Sequence, residues 1–296
     1  MPTTTGHREW YTINGTDFAT YGYWISEIDR GVAGRKGNDI DVPAIYGSAW
    51  REKRLATRTE NWNIIITDAH PTTGVVATTN EARRSQFNAN YDAVMTILNN
   101  PAQQLTIIYN RINTSASATT DTRYAYGEVV SAFTVRDHRE IGYTEISVDV
   151  MFADPRWYDA PGTLTSLSTT ISTAVTSQAI SNTAASFGSA TATLMTVTFT
   201  STTVALVNPR LTNSTYTTQS IIGYTGTVAS GTSVVIDTDN LTCKSGTGTN
   251  LISGLYRSGS RQDWMALFPT TNTLTFSQNA STGRGTCAIS FRKVYI

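Results

Sequence analysis

The sequence predicts a mainly β protein built from two domains, and three observations carry that prediction. First, charge is divided unevenly. Of the 22 acidic residues, 19 precede Ala160, the 22 basic residues divide 15 and 7 at the same point, and every residue from Ala160 to Pro209 is neutral. The two parts therefore carry net charges of −4 and +4, and the overall charge of zero hides two different modules. Second, the change falls at a proline-marked seam, Val150-Met-Phe-Ala-Asp-Pro-Arg-Trp-Tyr-Asp159. Third, short segments with the two-residue period of strands recur along the chain, against a single helical pattern. A length of 296 residues suffices for two separate cores.

The first part opens with Glu9-Trp-Tyr-Thr-Ile13 and then Asn14-Gly15, a strong hairpin signal because both residues tolerate positive φ. Tyr21–Ile28 reads as a second strand. The glycine-rich run Arg30-Gly-Val-Ala-Gly-Arg-Lys-Gly37 fits neither a P-loop nor GxGxxG, and no helical pattern follows it, so it reads as a mobile or interface loop. Arg51, Lys53, Arg54 and Arg58 form a basic cluster interleaved with Glu52 and Glu60, which reads as a solvated edge strand or as a charged contact with a partner subunit. Asn61-Trp-Asn-Ile-Ile-Ile-Thr67 is a buried strand candidate. Thr78-Thr-Asn-Glu81 matches a capping box, and Phe87, Tyr91, Val94, Met95 and Leu98 then recur at helical spacing until Asn99-Asn100-Pro101 stops the helix. Strands follow at Gln104–Tyr109, within Tyr124–Val135, and at Glu145–Phe152, where Ile146, Val148, Val150 and Phe152 share one face. Asp154-Pro155 ends that strand.

Between Thr163 and Thr203, 22 of 41 residues are Ser or Thr. Threonine suits strands as well as linkers, so roughly 164–177 reads as an extended or strand-like connection. Beyond it lie seven or eight short strands with turns and no helical pattern: Thr196–Thr200, Arg210–Thr212, Ser220–Tyr224, Ser233–Asp237, Leu241–Lys244, Thr273–Phe276 and Cys287–Tyr295. That density fits a β-sandwich or jelly roll. The resulting division is residues 1–159, a Ser/Thr-rich connection 160–193 that is partly strand, and residues 194–296.

Catalytic patterns are missing. GxSxG, HExxH, P-loop and EF-hand signatures do not occur, and His7, His70 and His138 are isolated. Asp237, Asp239 and Asp263 are the only carboxylates after Ala160, too few for a facing acid/base pair. Asp237-Thr-Asp239 suits an Asx turn better than a calcium site. Cys243 and Cys287 lack metal-ligand spacing and read as buried free thiols, with pairing across adjacent strands as the lesser alternative. Neither a cofactor nor a metal is expected, and balanced charge implies no affinity for nucleic acid. No apolar run approaches the roughly 18 residues of a membrane span. Residues 1–8 do not read as a secretory signal, so assembly in a cytoplasm is expected.

The order of these features resembles the distal tail proteins of long-tailed (siphovirus) bacteriophages, the Dit-like phage tail or minor tail protein family. The resemblance rests on Trp10-Tyr-Thr-Ile-Asn-Gly-Thr-Asp17, on Asp39-Ile-Asp-Val-Pro43 with Asn61–Ile66, and on the single helix Glu81–Leu98 before Leu105–Tyr109. It also rests on Phe152-Ala-Asp-Pro-Arg-Trp-Tyr158, and on Asn208-Pro-Arg-Leu211, Gly231–Asp237 and Phe268–Phe276. One departure is Leu267-Phe-Pro-Thr-Thr-Asn272, where the family usually has a glycine after the proline.

The resemblance implies an N-terminal β-barrel-like ring domain with one helix and a C-terminal galectin-like or jelly-roll β-sandwich. It implies six copies in a ring that continues the tail tube and joins it to tail-tip, baseplate or fibre proteins, a place in the virion, and no catalysis. Under that reading Asp154, Pro155, Trp157 and Tyr158 form the domain junction. Arg30, Arg35, Lys36, Arg51 and Arg54 are candidate ring or partner contacts. An alternative of another class is a carbohydrate-binding module, with Tyr216, Tyr224, Tyr256 and Trp264 as candidate stacking residues for host glycan.

Overall fold

A computed structural model describes residues 9–31, 35–36, 40–41, 48–49, 54–99, 104–112, 120–138, 142–160, 162–172, 175–182, 187–215, 220–258, 265–269 and 271–296. The chain divides into two compact units, Met1–Ala160 and Pro161–Ile296. Antiparallel ladders dominate both, and α1 (Asn80–Leu98) is the one α-helix among the described residues.

The strands of the first unit are β1 (Glu9–Ile13), β2 (Thr16–Asp17), β3 (Tyr23–Arg30), β4 (Arg58–Thr67), β5 (Leu105–Ile112), β6 (Thr120–Val129), β7 (Thr134–His138), β8 (Tyr143–Phe152) and β9 (Trp157–Asp159). Two short ladders, Arg35–Lys36 with Arg54–Leu55 and Ile40–Asp41 with Ser48–Ala49, fall between β3 and β4. The sheet runs β2-β1-β5-β6-β8-β4-β3, with β7 on β8 and β9 on β6. Asn14 and Gly15 take φ of 48° and 83° and close β1 onto β2 as the two-residue loop that the dipeptide announces. The strict alternation of β4 and β8 sets the core: Trp62, Ile64 and Ile66 face inward beside Ile146, Val148, Val150 and Phe152, all of them buried.

This sheet curls on itself. Tyr11 of β1 packs on Trp62 of β4, with ring centroids 5.6 Å apart. Phe18 lies between the two ends of the sheet: its N–H donates to Tyr11 O, and Ile25 N–H donates to Phe18 O. No ladder joins β1 to β3 among the described residues, so the barrel-like curl stays open along that line.

The helix begins one residue later than its sequence signal suggests. Thr79, not Thr78, is the N-cap, and its hydroxyl accepts from Ala82 N–H. Val94 and Leu98 bury as the spacing predicts, while Phe87 and Tyr91 stack half-buried on the flank. The third buried residue is polar. Asn90 donates to Thr67 O at 2.7 Å and Ala69 O at 2.9 Å and accepts from Gln86 at 3.0 Å, which pins the helix to the end of β4.

The second unit is a sandwich of two five-stranded sheets. Its strands are β10 (Thr165–Ile171), β11 (Ser177–Ile180), β12 (Met195–Ser201), β13 (Arg210–Asn213), β14 (Ser220–Tyr224), β15 (Ser233–Asp237), β16 (Thr242–Ser245), β17 (Leu255–Ser258), β18 (Leu274–Ser277) and β19 (Gly285–Phe291). One sheet runs β10-β19-β12-β15-β16 and the other β11-β18-β13-β14-β17. The Ser/Thr-rich stretch supplies one edge strand to each sheet. β10 alternates Leu167 and Ile171 inward with hydroxyl residues outward, so threonine acts there as a strand former. Phe199 of β12 stacks on Phe276 of β18 at 5.8 Å, and Val197, Ile236, Leu211 and Ile289 fill the space around them. Cys287 and Cys243 both face this core, but β12 and β15 separate their strands, which rules out a bridge between them. Burial pushes both thiols up, so they remain protonated and inert.

Asn90 generates a testable expectation. Asn90→Ala strands the Thr67 and Ala69 carbonyls and should lower stability by about 1–3 kcal/mol in urea unfolding. Asn88→Ala, on the exposed face, should stay within about 0.5 kcal/mol of the parent.

Candidate functional site

The most constructed site in the first unit is built where β8 turns into β9. β4 begins with Arg58-x-Glu60-x-Trp62, all on the inward face. Arg58 is therefore buried, not on the solvated edge that its sequence neighbourhood suggests. Its guanidinium lies 3.2 Å from Glu60 and donates to Pro155 O at 2.7 Å. It sits 4.4 Å from the Phe152 ring centroid and 5.0 Å from that of Trp157. Trp62 Nε1–H donates to the other Glu60 oxygen at 3.0 Å. Burial lowers the Arg58 pKa and Glu60 opposes the shift, so the group stays a cation held by one carboxylate, one carbonyl and two rings.

The four residues expected at the seam cluster around this cation. Trp157 is buried within the first unit, packing on Tyr11, Tyr109 and Phe152 at centroid distances of 6.4, 6.0 and 5.7 Å. Pro155 offers the carbonyl that Arg58 takes. Asp154 accepts from Arg156 through its backbone N–H and both ends of its guanidinium fork, and it also accepts from Tyr158 O–H. Burial alone would raise the Asp154 pKa, but these donors and the Arg156 charge hold it below the usual carboxylate value. Burial drives the Tyr11 and Tyr158 phenols far above their ordinary value, so both stay neutral.

The candidate partner contacts separate. Arg30 donates to Tyr11 Oη at 3.1 Å, lies 3.8 Å from Glu9 and sits 5.2 Å over Tyr109, yet keeps about half of its side chain in solvent. Arg35 and Lys36 pair through their backbones with Leu55 and Arg54. Arg51 lies outside the described residues.

On the sandwich, two of the four glycan candidates, Tyr224 and Tyr256, lie among the described residues. The Arg210 guanidinium lies 3.9 Å over the Tyr256 ring and is fixed there by bonds to Pro209 O, Tyr224 O and the Thr225 hydroxyl, so one face of that ring is already covered. Tyr224 is half-buried, its ring seated where a Cβ on Gly226 or Gly254 would collide with it. Tyr216 and Trp264 lie outside the described residues. Asp237 accepts from Asp239 N–H at 2.9 Å and Asn240 N–H at 3.1 Å, the arrangement of an Asx turn.

The arrangement fastens the corner between β8 and β9 to the start of β4. His70 accepts from the Thr72 and Thr73 N–H groups, and His138 stacks on Tyr143, so neither is poised against a nucleophile. Among the described residues no three metal-ligating side chains converge. Among the described residues no helix is long and apolar enough to cross a membrane.

Comparison with solved structures places this architecture. The Dit protein (gp 19.1) of phage SPP1, a hub of the adsorption apparatus in phages that infect Gram-positive bacteria, superposes with a TM-score of 0.60. The match spans 97% of this chain and 99% of that one at 15% identity. The chain shares its fold with SPP1 Dit. A component of the phage P2 baseplate in its calcium-activated conformation aligns over 96% of this chain and 98% of its own at 10% identity, with a TM-score of 0.37 too low to bear on the argument. No family model matches the chain, and no curated protein matches it in sequence.

Arg58 and Glu60 are buried where their sequence neighbourhood suggests a solvated edge, although strand period carries the signal that finds them. They continue the inward period of Trp62, Ile64 and Ile66 toward the start of the strand. The pair predicts non-additive energetics. Glu60→Leu alone should cost about 3–5 kcal/mol in chemical denaturation, because it leaves the Arg58 charge buried and unpaired. Arg58→Met combined with Glu60→Leu should cost well under the sum of the single changes, the coupling being read from the double-mutant cycle.

Proposed function

We propose that this chain is a structural hub protein of a long-tailed bacteriophage, assembling as a ring of six copies that joins the tail tube to tail-tip or baseplate proteins. One observation carries the reading: the fold match to SPP1 Dit runs through both units and almost every residue of either chain. A match confined to the sandwich would fit many binding modules. Agreement across a curled sheet with one helix followed by a jelly-roll sandwich narrows the field to proteins with both parts.

The site chemistry is consistent with a mechanical role. Arg58 and Glu60, buried in the first unit, hold each other and the Asp154-Pro155 corner. A ring subunit works by offering a rigid surface to identical neighbours, through a heterologous contact that closes by rotation. In this account the first unit makes the ring. The covered face of Tyr256 weighs against a glycan platform at that position.

Light scattering on a sizing column, with negative-stain images of the same peak, tests the proposal. A mass near six times 32.2 kDa and annular particles are expected. A monomer at every concentration, with no rings formed on adding tail tube protein, would overturn it.

A further inference from the structure

The line along which the curled sheet fails to close carries an inference that rests on the ring reading above. β2 covers the outer edge of β1 at Thr12 and Ile13, and Phe18 N–H donates to Tyr11 O, so that edge is open only at Glu9 and Trp10. β3 pairs with β4 on one side. Its other edge is met only near its start, by the Ala19–Trp24 bridge and the Ile25 N–H bond to Phe18. From Ser26 to Arg30 that edge has no ladder among the described residues. A groove of about 470 Å³ lies between the two strands, with Trp10, Trp24, Ser26, Glu27, Ile28 and Arg30 along it. Only side chains cross it there: Arg30 reaches over to Tyr11 and Glu9. Two open strand edges facing one groove are a template for an added strand.

We propose that this groove receives residues Thr3–Arg8 of a neighbouring copy, laid in as an extended strand that completes the sheet. Length fits: six residues span about 20 Å, matching the five open residues of β3 with one to spare. Composition fits: Thr3, Thr4 and Thr5 are β-branched, and no proline lies between Thr3 and Arg8 to interrupt a ladder. Charge fits as well. Met1–Arg8 contains no acidic residue and ends in His7-Arg8, whereas the groove carries Glu9 and Glu27 on opposite rims. Glu9 is shared between Arg30 and Arg111, and Glu27 has no ion-pair partner among the described residues.

The segment directly precedes Glu9, which lines the groove. Folding back into that groove would spend Gly6, His7 and Arg8 on a turn and leave three threonines for an edge open only at Glu9 and Trp10. A neighbour's segment can run along all of Ser26–Arg30. In a cyclic ring each copy then gives one strand and receives one, as a heterologous interface requires.

Cysteine cross-linking between full-length chains tests this. Thr3→Cys, Thr4→Cys or Thr5→Cys in one tagged copy is co-expressed with Ser26→Cys or Glu27→Cys in a differently tagged copy, and mild oxidant is added. Cys243 and Cys287 are buried and stay silent. The expected result is a disulfide-linked band of twice the chain mass carrying both tags, strongest at one threonine and weak at its neighbours, as strand alternation dictates. Two results would overturn the inference. One is a disulfide that forms only within a chain when Thr4→Cys and Glu27→Cys share it, with no mixed dimer. The other is no disulfide at any pairing. If the same samples still elute at a ring mass, the inference falls and the hub reading stands; a monomeric mass removes both.

Discussion

The first unit depends on one buried charge pair. Arg58 and Glu60 occupy inward positions that the alternation of β4 would otherwise give to apolar side chains, in line with Trp62, Ile64 and Ile66. A cation in that place is tolerable only if its partners are already in position. Glu60 supplies the counter-charge, Phe152 and Trp157 supply ring faces, and the Pro155 carbonyl supplies an acceptor from the corner after β8. The corner cannot move without exposing the charge, and the charge cannot be solvated without opening the corner. Asp154 repeats the device on the outer side, gathering Arg156 and Tyr158. A single fold-wide constraint thus fixes where the strands of the first unit end.

Much of the architecture was legible because period and turn chemistry act locally. β8 shows this most clearly, since its alternation from Tyr143 to Phe152 predicts the buried face residue by residue. Asn14-Gly15 announces its hairpin for a steric reason that no tertiary contact overrides. The helix was visible from its apolar spacing, but its first turn was misplaced by one residue because Thr78 and Thr79 are chemically equal candidates for the cap. The fold uses Thr79, whose hydroxyl accepts from Ala82 N–H.

The site was less legible, and for one reason. Arg58 was grouped with Arg51 and Arg54 because they are close in sequence, whereas burial follows the alternation of the strand. Trp157 and Tyr158 were expected at the seam on their aromatic character. What sequence spacing alone did not convey is that Tyr11 and Tyr109, about 150 and 50 residues earlier, pack on the same tryptophan. Likewise Arg210 could not be seen to cover Tyr256, since the pairing depends on β14 lying between their strands. Long-range register, more than local propensity, decides which side chains meet.

The central claim is that this chain is a tail hub whose interior chemistry is mechanical. Immunogold labelling of intact virions, assembled from the genome that encodes the chain, tests it most directly. Antibodies against exposed segments of the sandwich should place gold at the distal end of the tail, one cluster per particle. Label on the capsid, along the whole tail, or on no particle while the protein accumulates free in the lysate would contradict the account.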